Sequence, residues 1–367
     1  MNIGVPKERR PFEFRIGLSP SGVDALTEQG HTCYVEHEAG TGAGYTDQDY
    51  ERAGARIVYS CEEVFGRADL VLKIARPLQD ELEWMQPEAS LAGFLHLAST
   101  RQDRIDTLIE KKITAIAYEQ IQLPDGSLPV LRPLSEIGGL MTAQIAARLL
   151  QNNWGGKGVL LGGIAGVAPA EVVIFGAGVA GTKATKAFLG LGAHVTVLDH
   201  NMEALQRLFD QYPSIVTIYS SRRNIERSVT YADVVVGAVL VPGERTPVLI
   251  KRDLLSKMKP RSIIIDLSID QGGCFETSRP TAHDRPTYIE EGIVHFCVPN
   301  IPGVVGRAST QAFMNCALLY ISEIANKGIE KAMKENTAIE VAVNTYKGEV
   351  RKLVRMTSAE GSGYGLE

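Results

Sequence analysis

The chain is poor in cysteine. Its five residues, Cys33, Cys61, Cys274, Cys297 and Cys316, are an odd number with no Cys-x-x-Cys pair among them. That excludes a disulfide framework and a cysteine zinc site as organising devices, and free, small, buried thiols in a reducing cytoplasm are expected. Excess basic charge is also missing. With 38 Lys and Arg against 43 Asp and Glu, the formal charge is -5, which argues against nucleic acid or an anionic membrane as main partner. A small molecule is the better default. No apolar run is long enough to span a membrane. The stretch Gly158 to Gly181 has one charge, Glu171, but it is broken by seven glycines and Pro169. Met1-Asn-Ile-Gly-Val-Pro-Lys-Glu8 lacks the basic-then-apolar profile of a signal peptide, so nothing there directs export. No internal repeat or charged low-complexity run occurs. No pair among His194, His200 and His283 has metal-ligand spacing, and no catalytic metal is expected.

What is present points to an α/β protein. At 367 residues, 44% hydrophobic and 22% charged, the chain has material for two soluble globular domains. Short apolar runs alternate with helical patterns, the rhythm of parallel sheets with crossover helices. Strands are predicted at Ile3 to Val5, Thr32 to Glu36, Leu70 to Ile74, Leu91 to Leu95 and Thr114 to Tyr118. Helices are predicted from Ser19-Pro20 to near Gly30 and from Thr100 to Lys112. A longer helix from Ser135 to Gln151 is expected to join two domains. Beyond Glu171 the rhythm repeats, with strands at Val172, Val195, Ile215, Val234, Ile263 and Val294. The region from Ser309 onward is helical in pattern, has no predicted strand, and is expected to pack back on the first domain. The tail Met356 to Glu367 is expected to be loosely held. The expected architecture is two doubly wound Rossmann-like domains with a cleft between them. One is residues 1–134 with 309–367, for the substrate, and the other is 135–308, for a dinucleotide.

The strongest local signal is Val172-Val-Ile-Phe-Gly-Ala-Gly-Val-Ala-Gly181, followed by Leu191-Gly-Ala-His-Val-Thr-Val-Leu-Asp199. A strand running into Gly176, Gly178 and Gly181, then a helix, then a second strand ending at an acid, is a dinucleotide-binding pattern. Gly176 allows the tight turn, Gly178 lets backbone approach a pyrophosphate, and Gly181 allows close helix–strand packing. The pyrophosphate would sit on the helix N-terminus, at Val179, Ala180 and Gly181. Asp199 stands where a carboxylate accepts hydrogen bonds from the adenosine ribose and repels a 2′-phosphate, which favours NAD over NADP.

Four polar groups at predicted strand ends or turns are candidates for chemistry. His96 closes the run Leu91-Ala-Gly-Phe-Leu-His96, and an imidazole there takes and returns a proton, unless it is a core histidine bonded to a carbonyl. Lys73 ends an equally apolar strand; its ammonium either meets an anion such as a carboxylate ligand or snorkels to solvent. Arg15 offers two-point recognition of a carboxylate, with a surface position as the bland reading. Asp270, before Gln271-Gly-Gly-Cys274, either orients His96 or a water, or caps a turn.

Together these segments resemble the alanine dehydrogenase family, which also contains the soluble nucleotide-binding subunit of proton-translocating transhydrogenase. The resemblance runs from Met1 to about Tyr346. It rests on Ile3-Gly-Val-Pro-Lys-Glu8, Glu13-Phe-Arg15, Gly40-Thr-Gly-Ala-Gly44, Val71-Leu-Lys73, Leu95-His-Leu-Ala98, Ala115-Ile-Ala-Tyr-Glu119, Gly155 to Gly163, Gly237 to Gly243, Ile269 to Glu276 and His295 to Asn300. It implies reversible, NAD-dependent deamination of L-alanine to pyruvate and ammonium by a homohexamer. It also implies that Arg15 and Lys73 hold the substrate carboxylate and keto oxygen, and that His96 and Asp270 handle protons around the imine and its hydrating water. Ser135, Val239, Leu240, Ile269, Asp270 and Asn300 would line the nicotinamide end. The chain departs from the family's usual residues at Leu134, at Gly138-Gly139-Leu140 and at Gly306-Arg307, which bears on substrate preference. A dehydrogenase for another small L-amino acid is one alternative. A transhydrogenase-like subunit or NAD sensor is another, opposed by Leu95-His-Leu-Ala98, since hydride transfer between nucleotides has no use for that histidine.

Overall fold

The computed structural model describes residues 1–241 and 245–353. The end of the Gly237–Gly243 segment (Pro242 and Gly243) and the tail 356–367 lie outside the described residues. The chain divides into two compact units, Met1–Leu131 with Gly303 onward, and Arg132–Pro302. These boundaries differ slightly from 134/135 and 308/309, because the long helix begins at Arg132 rather than Ser135 and ends at Leu149.

The first unit is built on a sheet of β1 (Asn2–Val5), β2 (Thr32–Glu36), β3 (Arg56–Val58), β4 (Leu70–Ala75), β5 (Ser90–Phe94) and β6 (Thr114–Ala117). These six strands are parallel and lie in the spatial order β3-β2-β1-β4-β5-β6, the doubly wound order whose direction of winding reverses between β1 and β4. Almost every residue of β4, β5 and β6 is buried, as expected of strands covered on both faces, and this is why they read as continuous apolar runs. Ser19 caps the helix Pro20–Glu28 by accepting the Gly22 N–H at 3.3 Å, and Pro20 occupies the first turn, where a missing N–H costs nothing.

The region after Ser309 belongs to this unit, largely as the helix Gly306–Lys327, but it does contribute strands. Numbered in chain order after the strands of the second unit, the two strands of this region are β14 (Val343–Tyr346), antiparallel to β6, and β15 (Glu349–Val350), which extend the first sheet at that edge. Buried Asn344 and Thr345 break the apolar pattern of β14 and hide it from a hydrophobicity reading.

In the second unit, β7 (Glu171–Phe175), β8 (His194–Asp199), β9 (Val216–Tyr219), β10 (Val234–Gly237), β11 (Ile263–Asp266) and β13 (Ile293–Phe296) are parallel, in the order β9-β8-β7-β10-β11-β13. This is the same doubly wound order, with its reversal between β7 and β10. One antiparallel edge strand, β12 (Thr287–Glu290), pairs with β13 and was not predicted. Both sheets are thus Rossmann-like, and in each the parallel strands present their carboxyl ends at a single edge.

Candidate active site

In the second unit, β7 runs into Gly176, whose φ of +106° suits glycine and turns the chain out of the sheet. A Cβ on Gly181 would overlap the Gly176 carbonyl oxygen, so glycine is required for the helix Val179–Gly190 to start this close to the strand. A Cβ on Gly178 would meet nothing within 4 Å, which leaves the turn open on that side for a ligand. The first N–H groups of this helix have no acceptor within it and suit a pyrophosphate. Asp199, at the end of β8, braces the same turn: its two oxygens accept the Ala177 N–H at 2.6 Å and the Asn201 N–H at 2.8 Å. These features fit a dinucleotide.

The strands on the other side of the reversal lead into the remaining predicted cofactor residues other than Ser135. Val239 and Leu240 follow β10, and the Val239 N–H and carbonyl both bond the Ser268 hydroxyl, at 3.1 and 2.8 Å. The loop after β11 carries Ile269 and exposed Asp270, then turns through Gly272 and Gly273. A residue that sequence reasoning missed holds this loop. Buried Asp266 accepts the Ser268 N–H at 2.9 Å, the Cys274 N–H at 3.0 Å and the Ser278 hydroxyl at 2.6 Å. Burial pushes its carboxyl up to about 6, against the pull of those donors. Asn300, after β13, directs its N–H to Asp270 Oδ2 at 3.4 Å, and Ser135 is half-buried on the first turn of the helix Arg132–Leu149.

In the first unit, His96 follows β5 in a left-handed conformation, φ +43° and ψ +45°. Its backbone is held on both sides. Glu119, just beyond β6, accepts the Leu95 N–H at 3.2 Å and the His96 N–H at 2.7 Å. The His96 carbonyl accepts from the Ser99 N–H and from the Ser99 and Thr100 hydroxyls. The ring stays partly exposed, at 28%, with Nδ1 3.9 Å from Glu119 Oε1. It is not a core histidine bonded to a carbonyl; that description fits His295, whose Nδ1 lies 3.0 Å from the Ile293 carbonyl.

Arg15 and Lys73 are both buried and both paired. Arg15 makes a two-point contact with Glu13, at 2.7 and 2.5 Å. Lys73, 1% exposed, lies 3.1 Å from Glu8 and 3.2 Å from Glu81. Burial opposes the charge on Lys73, but Glu8 and Glu81 outweigh it and hold the ammonium above its usual range. Three carboxylates face two cations here, and burial raises the Glu8 carboxyl against the pull of Lys73. Lys73 therefore does not snorkel, and the anions it meets belong to the protein. Glu8 and Glu13 stand in segments that carry the family resemblance, yet nothing in residue type alone marks them as partners.

Three of the cysteines are fully buried, and burial raises the Cys33 and Cys297 thiols to about 12, as suits inert core residues. Among the described residues, no group of three or more His, Cys, Asp or Glu could hold a metal, and no helix is long and apolar enough to cross a membrane.

Comparison with known proteins gives the family. The N-terminal domain profile of alanine dehydrogenase/PNT matches residues 4–138, and the C-terminal domain profile matches 142–353. Alanine dehydrogenase 2 of Staphylococcus aureus (strain USA300) is 48% identical over 95% of this chain and 94% of its own length. The alanine dehydrogenase of Staphylococcus haemolyticus is 47% identical over the same shares. A solved L-alanine dehydrogenase superposes with a TM-score of 0.90 at 45% identity, covering 95% of this chain and 96% of that one. A transhydrogenase from Sinorhizobium meliloti shares the fold, with a TM-score of 0.79 at 23% identity over 95% of this chain and 98% of that one. The chain belongs to the alanine dehydrogenase/PNT family.

Proposed function

We propose that this protein catalyses the reversible oxidative deamination of L-alanine to pyruvate and ammonium with NAD. The observation that carries this reading is the relative 48% identical across nearly all of both chains, an alanine dehydrogenase. Bound NAD supplies the hydride acceptor, so the protein's tasks are positioning and proton handling. Gly176, Gly178, Val179, Ala180 and Gly181 cradle the pyrophosphate. Each Asp199 oxygen keeps a lone pair for a ribose hydroxyl after accepting its backbone N–H, and its charge disfavours a 2′-phosphate. Ser135, Val239, Leu240, Ile269 and Asn300 line the nicotinamide end.

Loss of hydride from the alanine Cα and of a proton from its nitrogen leaves an imine; water adds to the imine carbon and ammonium departs, giving pyruvate. His96 takes that proton and returns it in the reverse direction, and Asp270 orients the water. For Arg15 and Lys73 the proposal is narrower than the resemblance implies. Buried against Glu13, Glu8 and Glu81, they set the charge and shape of the substrate end. Assembly as a cytoplasmic homohexamer belongs to the same reading. The test is absorbance at 340 nm with purified protein, a panel of L-amino acids, and NAD or NADP. L-alanine with NAD should give the fastest rate; activity confined to another amino acid would move the substrate assignment, and silence with NAD bound would overturn it.

A further inference from the structure

The turn that follows β11 carries Ile269 and Asp270, and a ring laid against it needs that turn in one shape. Asp266, the last residue of β11, is fully buried at its root. Its Oδ1 accepts the Ser268 N–H at 2.9 Å, while its Oδ2 accepts the Cys274 N–H at 3.0 Å and the Ser278 hydroxyl at 2.6 Å. One carboxylate thus fastens both ends of the turn 268–274. The hold passes to the neighbouring strand end. The Ser268 hydroxyl donates to the Val239 carbonyl at 2.8 Å and accepts the Val239 N–H at 3.1 Å, so the segment after β10 is tied to the same carboxylate through Ser268.

The surroundings are shaped for this group. Gly237 stands opposite Asp266 in the strand register, and a Cβ there would come within 3.2 Å of Oδ1. A Cβ on Gly273 would come within 2.6 Å of Oδ2. The bonded partners of Asp266 are N–H and O–H donors rather than cations, and a charge kept in such a wall is costly. Two free acceptor oxygens are what the charge supplies, since a neutral acid or amide of the same shape turns one of them into a donor.

We propose that the ionised Asp266 carboxylate is the positioning residue of the nicotinamide end, holding the turn 269–273 and the Val239 backbone in the form that binds the dinucleotide. This inference rests on the proposed placing of Val239, Leu240, Ile269 and Asp270 at that end. It goes beyond that reading by making cofactor affinity depend on one proton at Asp266. A proton on Oδ2 turns an acceptor into a donor. Ser278 can rotate to accept it, but the Cys274 N–H then faces a hydroxyl and the turn loosens. Burial raises the carboxyl to about 6 against the pull of its donors, so Asp266 is ionised at pH 8 and mostly protonated at pH 5. The titratable groups around it are the Cys274 and Cys297 thiols and, behind Cys297, the Tyr288 phenol, all raised by burial and neutral. His295, paired with Ile264 on the adjacent strand, is lowered by burial, and Asp270 on the turn itself is exposed.

The test is the Kd for NAD, measured by titration calorimetry on full-length protein from pH 5 to 8. Wild type should bind more weakly as pH falls through about 6. Asp266→Asn fixes a donor where the protonated acid has one. It should bind NAD roughly 10-fold more weakly than wild type at pH 8, as for a lost charge-assisted hydrogen bond, and the gap should close toward pH 5. Ser278→Ala keeps the charge but removes one donor to it, so the fall in affinity should recur with its midpoint at higher pH. That variant carries the test if Asp266→Asn does not fold. A gap of constant size from pH 5 to 8, which a purely structural brace would give, or an unmoved midpoint in Ser278→Ala, overturns the proposal. Wild-type protein that binds no NAD overturns the cofactor reading and this proposal with it. The expected pH profile in a protein that turns over no alanine overturns the functional reading alone.

Discussion

Lys73, Arg15, His96 and Asp270 each stand beside or follow a segment held by a carboxylate that binds backbone. Glu8 accepts the Ile74 N–H at 2.6 Å beside Lys73, Glu13 accepts the Arg15 N–H at 3.2 Å, Glu119 holds the His96 turn and Asp266 the Asp270 loop. His96, Asp199, Asp270 and the glycines of the turn are legible in the sequence because they end apolar runs. Their supports are not legible, since Glu8 and Ile74 are 66 residues apart, and Glu119 and Leu95 are 24 apart; no residue pattern encodes such a distance. His96 pays about 1–2 kcal/mol for its left-handed backbone, a cost that the two bonds to Glu119 offset. Glu119→Gln would place an amide NH2 against one of those N–H groups. It should lower kcat about 10- to 100-fold, within the range for a mispositioned proton-transfer group, with NADH affinity unchanged. Steady-state rates and NADH fluorescence check this, and an unaltered kcat contradicts it. Asp199→Ala should weaken NAD binding and narrow the preference over NADP, as measured by the two KM values, because it removes both the proposed ribose acceptor and the brace on Ala177.

Asp266 makes a prediction in pH. Its folded carboxyl titrates near about 6 against a usual 3.8, so the folded chain holds the proton more tightly than the unfolded chain. Its contribution to stability is greatest below about pH 4, falls by on the order of 3 kcal/mol as pH rises through 4 to 6, and is flat above. The melting temperature of wild type relative to Asp266→Asn should fall across that window. A difference that does not vary with pH would refute the assignment.

At the scale of elements, the covered parallel strands are the legible ones, because burial on both faces writes an unbroken apolar run. Thr32–Glu36 emerges with its predicted ends, and β4, β5 and β6 shift by a residue or so. The edge strands β3, β12 and β15 are short and largely uncovered, and β14 buries Asn344 and Thr345 in hydrogen bonds rather than in an apolar stripe. Thr345 Oγ1 donates to the Ile113 carbonyl at 2.7 Å and accepts the Ala115 N–H at 3.1 Å, joining β14 to β6. Thr345→Val keeps the shape but strands a buried N–H, and should cost about 1–3 kcal/mol in urea unfolding. A loss well below 1 kcal/mol would show that the hydroxyl is dispensable to this edge.

Across the whole chain, the same doubly wound order occurs in both units, and the Gly-rich turn at the reversal point of the second fits a dinucleotide. The class of fold is legible from the alternating pattern. The charge balance at the first reversal point is not, because the pairing of Arg15 with Glu13 and of Lys73 with Glu8 and Glu81 exists only in three dimensions. The measurement that tests the central claim most directly is NADH formation from L-alanine and NAD by wild type and His96→Ala, with NADH binding measured on both. Wild type should turn over, and the variant should lose about 10²- to 10⁴-fold in kcat with NADH binding intact. Near-normal turnover by His96→Ala would contradict the account.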